Sequence, residues 1–285
     1  MSAPKYRAAL ASLALAGAAS LTVVAASAPA QAATAPVPVS ISKGHVVTMP
    51  TTLQPGVTEF TVSTKRKRAD FQLVIPAAGY TPQEAARDIE KGLDRGKVKP
   101  LKRFEANVTL AGGTAAMADH PGTLVVTLTP GTYWALDVGT TDPAKFLPVT
   151  VTGADTGNVM PASAQIKAKS AAKWAGSPKS IPNKGLLTFK NAATQNHFVE
   201  MVKLKKGKSL SDFKKWFLSE TGPSGPPPVD FNKGLSMGVV SPGLSETVSY
   251  KLPKGNYVML CFWPDASMGG MPHAFMGMIR GIKLK

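Results

Sequence analysis

Residues 187–200 read Leu187-Thr188-Phe189-Lys190-Asn191-Ala192-Ala193-Thr194-Gln195-Asn196-His197-Phe198-Val199-Glu200, a short strand, a polar turn and a second alternating strand. The same arrangement stands earlier, at Thr61-Val62-Ser63-Thr64-Lys65-Arg66-Lys67-Arg68-Ala69-Asp70-Phe71-Gln72-Leu73-Val74. Both stretches have the period of a half-buried β-hairpin. Outward from them the likeness continues. A helix start follows each, Thr81-Pro82-Gln83-Glu84 in one and Ser209-Leu210-Ser211-Asp212 in the other. Thr81 is a cap residue with Pro82 at the first helical position, and Ser209 or Ser211 serves the second copy. Each unit then closes alike: Pro121-Gly122 or Pro242-Gly243, a strand, and a second strand through Tyr133 or Tyr257. The chain therefore holds one unit twice. The expectation is a mainly β protein of two tandem Greek-key β-sandwiches at 36–152 and 162–285, each with one short inserted helix, joined by the Gly- and Pro-containing linker 153–161.

The two copies differ chemically. In this register Asp70 stands where His197 stands, and Asp137 where Cys261 stands. The second copy ends in Gly255-Asn256-Tyr257-Val258-Met259-Leu260-Cys261-Phe262 and Pro272-His273-Ala274-Phe275-Met276-Gly277-Met278-Ile279. The first ends in Phe146-Leu147-Pro148-Val149-Thr150-Val151, with no imidazole or thioether. One thiolate, two imidazoles and a thioether are the donors of a blue-copper site, in which His₂Cys binds the metal and Met sits weakly on its axis. Carboxylates alone suit a soft transition metal poorly, so the chemistry is expected in the second copy.

Each candidate also has a plain structural reading. Cys261 ends an apolar strand, where a buried cysteine behaves as a small hydrophobe. His197 opens a strand as a turn histidine would, and His273 could pack on its loop neighbours. Met278 could fill a core gap, and Met268, Met271 and Met276 add thioethers that suit Cu(I) or an adaptable contact surface equally. His45 and His120 carry no motif.

At these residues the chain resembles the cupredoxin family, the small blue-copper proteins. Asn191 with His197 six positions on is similar to the family's asparagine and first histidine ligand. Gly255-x-Tyr257-x₃-Cys261 resembles its cysteine strand, and Pro272-His273-x₄-Met278 its closing histidine and methionine. The resemblance spans most of 160–285 and, as scaffold only, 40–152. It implies copper as cofactor, with His197, Cys261 and His273 as equatorial ligands and Met278 as the axial one. One departure stands out. Eleven residues, Phe262 to Pro272, separate Cys261 from His273, where the family's loop is very short. A longer loop costs little extra closure entropy, so an excursion can still return the histidine to the metal.

The N-terminus has Lys5 and Arg7, an apolar run from Ala8 to Ala26, and Ala30-Gln31-Ala32, the pattern of a secretory signal peptide (1–33) cleaved near Ala32-Ala33. The expected localisation is extracellular, with no membrane span. A single cysteine forbids an internal disulfide. The formal charge of +16 becomes +14 once Lys5 and Arg7 leave, which favours anionic surfaces such as cell-wall polymers. No aromatic residues interleave the lysines as base stacking requires, so nucleic acid is not an expected partner. There is no Gly-x-Ser-x-Gly elbow, His-Glu-x-x-His or P-loop, and an enzyme is not expected. The functional expectation is copper binding for electron transfer with a redox partner protein, or for copper handling outside the cell. The alternative is a metal-free binding module whose basic surface meets the anionic envelope.

Overall fold

Strand Gly56–Thr64 alternates strictly, with Phe60 and Val62 turned inward and Glu59 and Ser63 outward, as a period of two across a half-buried sheet requires. The computed structural model describes residues 34–170, 172–175, 178–220 and 222–285. The signal-peptide segment lies outside the described residues. Among those described, no helix is long and apolar enough to cross a membrane.

Gly56–Thr64 belongs to an eight-stranded sheet to which each half of the chain gives four strands. Its order is Lys173–Trp174, Ala164–Ser170, Lys184–Asn191, Ser245–Lys251, Gly122–Leu128, Gly56–Thr64, Val37–Ile41 and Val47–Thr48. The halves meet where Thr247 and Val248 pair antiparallel with Val125 and Leu124. Each half covers its part with a five-stranded sheet. The first has the order Thr52–Leu53, Leu147–Val151, Gly131–Asp137, Ala69–Pro76, Val108–Ala116, and the second Ser180–Ile181, Ile279–Leu284, Gly255–Leu260, Glu200–Leu204, Val229–Ser236. The repeat is visible in the pairing. Val37–Ile41 runs parallel to Gly56–Thr64 just as Ala164–Ser170 runs parallel to Lys184–Asn191. Both halves also tie the closing tyrosine back to the chain four residues earlier. Tyr133 Oη donates to Thr129 O at 3.1 Å, and Tyr257 Oη to Pro253 O at 2.6 Å. The mainly β, two-sandwich architecture is thus present. One hydrophobic core runs through both sandwiches, from Phe60, Phe71 and Tyr133 to Phe189, Met201 and Tyr257. The segment 153–161 contains no strand and lies along the first half, where Thr156 N donates to Pro55 O and Asn158 Nδ2 to Val57 O.

Helix α1 (Pro82–Ile89) starts at Thr81, whose Oγ1 accepts from Glu84 N while Glu84 Oε2 accepts from Thr81 N at 2.9 Å. This reciprocal cap satisfies two otherwise orphaned N–H groups. Thr81→Ala is expected to cost about 1 kcal/mol in urea unfolding. A second helix, α2 (Val98–Asn107), adds to the one expected in this half. Its Leu101 and Phe104 are buried, and Arg103 forms a bidentate pair with the buried Asp88 of α1. Helix α3 (Leu210–Phe217) is capped by Ser209 rather than Ser211, again with a reciprocal bond, to Asp212. It covers the outer face of the second half's five-stranded sheet with Phe213 and Phe217.

Candidate metal centre

Cys261 follows the last residue of strand Gly255–Leu260, which is bonded on both sides and buried from Tyr257 onward. The sulfur is therefore delivered to the sandwich interior, and Cys261 is fully buried. His197 reaches the same place from the turn after Lys184–Asn191. Asn191 shapes that turn: its Nδ2 donates to Gln195 O and to Val240 O, each at 2.7 Å, and its Oδ1 accepts from Ala193 N.

The eleven residues between Cys261 and His273 form an ordered excursion. Asp265 Oδ1 accepts from Ser267 N, Ser267 Oγ and Met268 N, and its Oδ2 accepts from Gln195 Nε2 at 2.8 Å. Gly269, at φ 70°, supplies the left-handed residue that turns the chain back. Pro264–Asp265 then pairs with Met271–Pro272, and His273 N donates to Trp263 O at 3.0 Å. The loop that departs from the short family pattern thus returns His273 beside Cys261.

The three predicted donors converge. Ligand atoms of His197, Cys261 and His273 all lie within 4.8 Å of one another, and this group could hold a metal ion. Cys261 Sγ is 3.7 Å from His273 Nδ1, and the two imidazole centroids are 4.5 Å apart. Met278 is fully buried in the same core as Cys261, and its N–H donates to His273 O at 3.0 Å.

Burial dominates the electrostatics of the site. Burial, then the neighbouring His273, pushes His197 down to about 3, although Asp265 opposes this. Burial pushes His273 down to about 4, again against Asp265. Both imidazoles are neutral at physiological pH, the form that ligates metal. Burial pushes the Cys261 thiol up to about 12, partly offset by backbone hydrogen bonds from Phe198 and Trp263 that favour the thiolate. Both ring nitrogens of His197 and Nε2 of His273 are buried without a hydrogen-bond partner. Orphaned buried polar atoms are costly and rare. Two imidazoles, a thiol with two N–H groups aimed at it, and no carboxylate among the donors fit a soft or borderline transition metal.

The equivalent position in the first half holds no such group. Asp137 is buried, and its Oδ1 accepts from Asp70 N and Gly139 N while its Oδ2 accepts from His45 Nδ1 at 2.8 Å and from Arg66. Burial would raise this carboxyl, but those bonds hold it below the usual carboxylate range. Asp70 pairs instead with Arg68. His45, read from sequence as isolated, is in fact part of this cluster; it comes from a distant loop, and no local pattern marks it.

No protein-family model matches the chain, and no curated protein matches it. Among solved structures, reduced auracyanin from the photosynthetic bacterium Roseiflexus castenholzii is 23% identical over 44% of this chain and 99% of its own, with a TM-score of 0.28. Auracyanin B is 18% identical over 45% and 92%, also at 0.28. The multi-copper oxidase from Pediococcus acidilactici is 9% identical over 88% of this chain and 58% of its own, at 0.23. At these superposition scores the assignment of the site rests on the chain's own residues.

Proposed function

We propose that this chain is an exported copper protein whose second half holds a type 1 electron-transfer centre. The observation that carries the reading is the burial, beside one thiol, of three imidazole nitrogens that have no hydrogen-bond partner. Left metal-free, each such atom costs about 1–3 kcal/mol of desolvation. A metal-free binding module makes no use of them.

In this reading His197, Cys261 and His273 are the equatorial donors and Met278 the weak axial one. Bound there, copper supplies a one-electron couple between Cu(I) and Cu(II). The protein's part is to hold the donors fixed and dry. Sealed inside the core, they leave no open face for a substrate, which suits electron transfer to a redox partner protein more than turnover. Metal binding also displaces the thiol proton, so affinity should rise with pH. The signal-peptide pattern of residues 1–33 supports export, and the basic surface suits an anionic cell-wall polymer as a second contact.

Titration of the purified chain with Cu(II) tests the assignment. One equivalent is expected to produce an intense thiolate-to-copper charge-transfer band, and Cys261→Ser to abolish it while leaving the far-ultraviolet circular dichroism unchanged. Absence of the band in the unsubstituted protein would sink the reading.

A further inference from the structure

The segment Met237 to Ser241 runs between the two halves and bonds to both. On one side it meets strand Val108–Ala116 of the first half. Gly238 N donates to Gly113 O at 3.0 Å, and Ser241 N to Leu110 O at 2.8 Å. Leu110 N donates in turn to Ser241 Oγ, also at 2.8 Å. On the other side Val240 exchanges both backbone hydrogen bonds with His197, at 3.2 and 2.8 Å. Gln72 of the first half clamps the residue between. Its Nε2 donates to Val239 O at 3.0 Å, and its Oε1 accepts from Val239 N at 2.9 Å. Gln72 is only 4% exposed, so water does not stand in for either bond.

The other two donors have their own link to the first half. Trp263, two residues past Cys261, donates from Nε1 to Glu105 Oε1 of α2 at 2.7 Å. The carbonyl of the same tryptophan accepts from His273 N. A single contact thus reaches the chain on both sides of the Cys–His excursion.

We infer that the first half, which gathers no such donor set among its described residues, is the frame that positions the metal centre, with Gln72 and Glu105 as its positioning residues. Gln72 acts on His197 through Val239 and Val240, and Glu105 acts on Cys261 and His273 through Trp263. The inference rests on the copper reading for the metal, but the linkage it describes is present without one. Outer-shell partners that orient ligands in this way typically govern metal affinity by about 10–100-fold.

The test uses the full chain and two kinds of readout. Gln72→Leu is expected to speed amide hydrogen exchange at His197 in the metal-free protein. In the copper-loaded protein it should weaken Cu(II) binding by about 10–100-fold and move the charge-transfer band. Val125→Ala, at the strand junction between the halves and outside this linkage, is the control and should lower thermal stability with neither effect. Glu105→Ala is expected to speed alkylation of Cys261 in the metal-free protein and to shift the band. Glu105→Gln, which keeps an acceptor for the indole, should restore both, and this pair of variants serves if Gln72→Leu does not fold. Unchanged exchange and alkylation, or equal effects from Val125→Ala, would overturn the inference. If the unsubstituted protein shows no copper band, the copper reading fails while the metal-free arms still decide the positioning role.

Discussion

The two buried imidazoles are expected to withdraw about 6 kcal/mol of stability from the metal-free protein as the pH falls from 7 to 4. In the unfolded chain they take up protons near 6.5, but folded His273 does so only near 4 and His197 only near 3. Between those values the unfolded state binds more protons, so stability is complete above the unfolded value and is lost as the solution is acidified. Glu105, Glu200 and Glu246, whose carboxyls burial pushes up, act in the opposite direction. The histidine contribution is therefore read as a difference between variants. Between pH 7 and pH 4 the unfolding free energy measured in urea should fall by about 3 kcal/mol more for the unsubstituted chain than for His197→Phe, the His197 share. Equal falls would mean that His197 is neither as dry nor as neutral as its burial requires.

Gly238→Ala is expected to cost about 3 kcal/mol, at the upper end for overpacking, because the added methyl meets backbone rather than a flexible side chain. A Cβ at Gly238 would lie 2.1 Å from Gly113 N and 2.4 Å from Gly113 Cα. Gly113 cannot retreat, since its own Cα already stands close to the carbonyl of Phe71; a Cβ there would be 2.1 Å from that oxygen. The strain must push Met237–Ser241 away from the first half, and Val240 carries His197 with it. Two measurements check this. Urea unfolding should show the loss of stability, and Cys261 should react faster with a thiol reagent. A variant as stable and as unreactive as the parent would show that the halves are not held at this seam.

Much of this was legible in the sequence, and the exceptions have physical reasons. Strand alternation and the Pro-Gly turns repeat in both halves, and Thr81 and Ser209 announce their helices through local capping chemistry. Helix α2 is not marked in the sequence because its two buried side chains, Leu101 and Phe104, stand among Lys99, Lys102 and Arg103, with Pro100 in the first turn. The donors His197, Cys261 and His273 were readable by residue type. Their convergence was not, since it depends on Asp265 folding the excursion back through four hydrogen bonds. Gln72 and Glu105 lie 167 and 158 positions from the residues they hold, and no spacing rule reaches across such separations. Asp137 was expected to be a poor ligand. The structure gives it another task, as a buried anion paired with Arg66 and in hydrogen-bond contact with His45.

The joining of the two halves into one eight-stranded sheet also bears on how the protein behaves at high concentration. An exposed strand edge is a row of unpaired N–H and C=O groups, a template for another molecule to extend. Taken separately, the halves would present Gly122–Leu128 and Ser245–Lys251 as seven-residue edges. Joined, the sheet ends in Lys173–Trp174 and Val47–Thr48, and the smaller sheets each end on one side in Thr52–Leu53 or Ser180–Ile181, all of two residues. At their other ends the smaller sheets have Val108–Ala116, engaged by Met237–Ser241, and Val229–Ser236, broken by a register shift opposite Val202 and Lys203. Short, engaged or irregular edges are poor seeds for fibril growth. The strand that each half would otherwise offer to a neighbouring molecule is already engaged within its own chain, at Leu124–Val125 and Thr247–Val248.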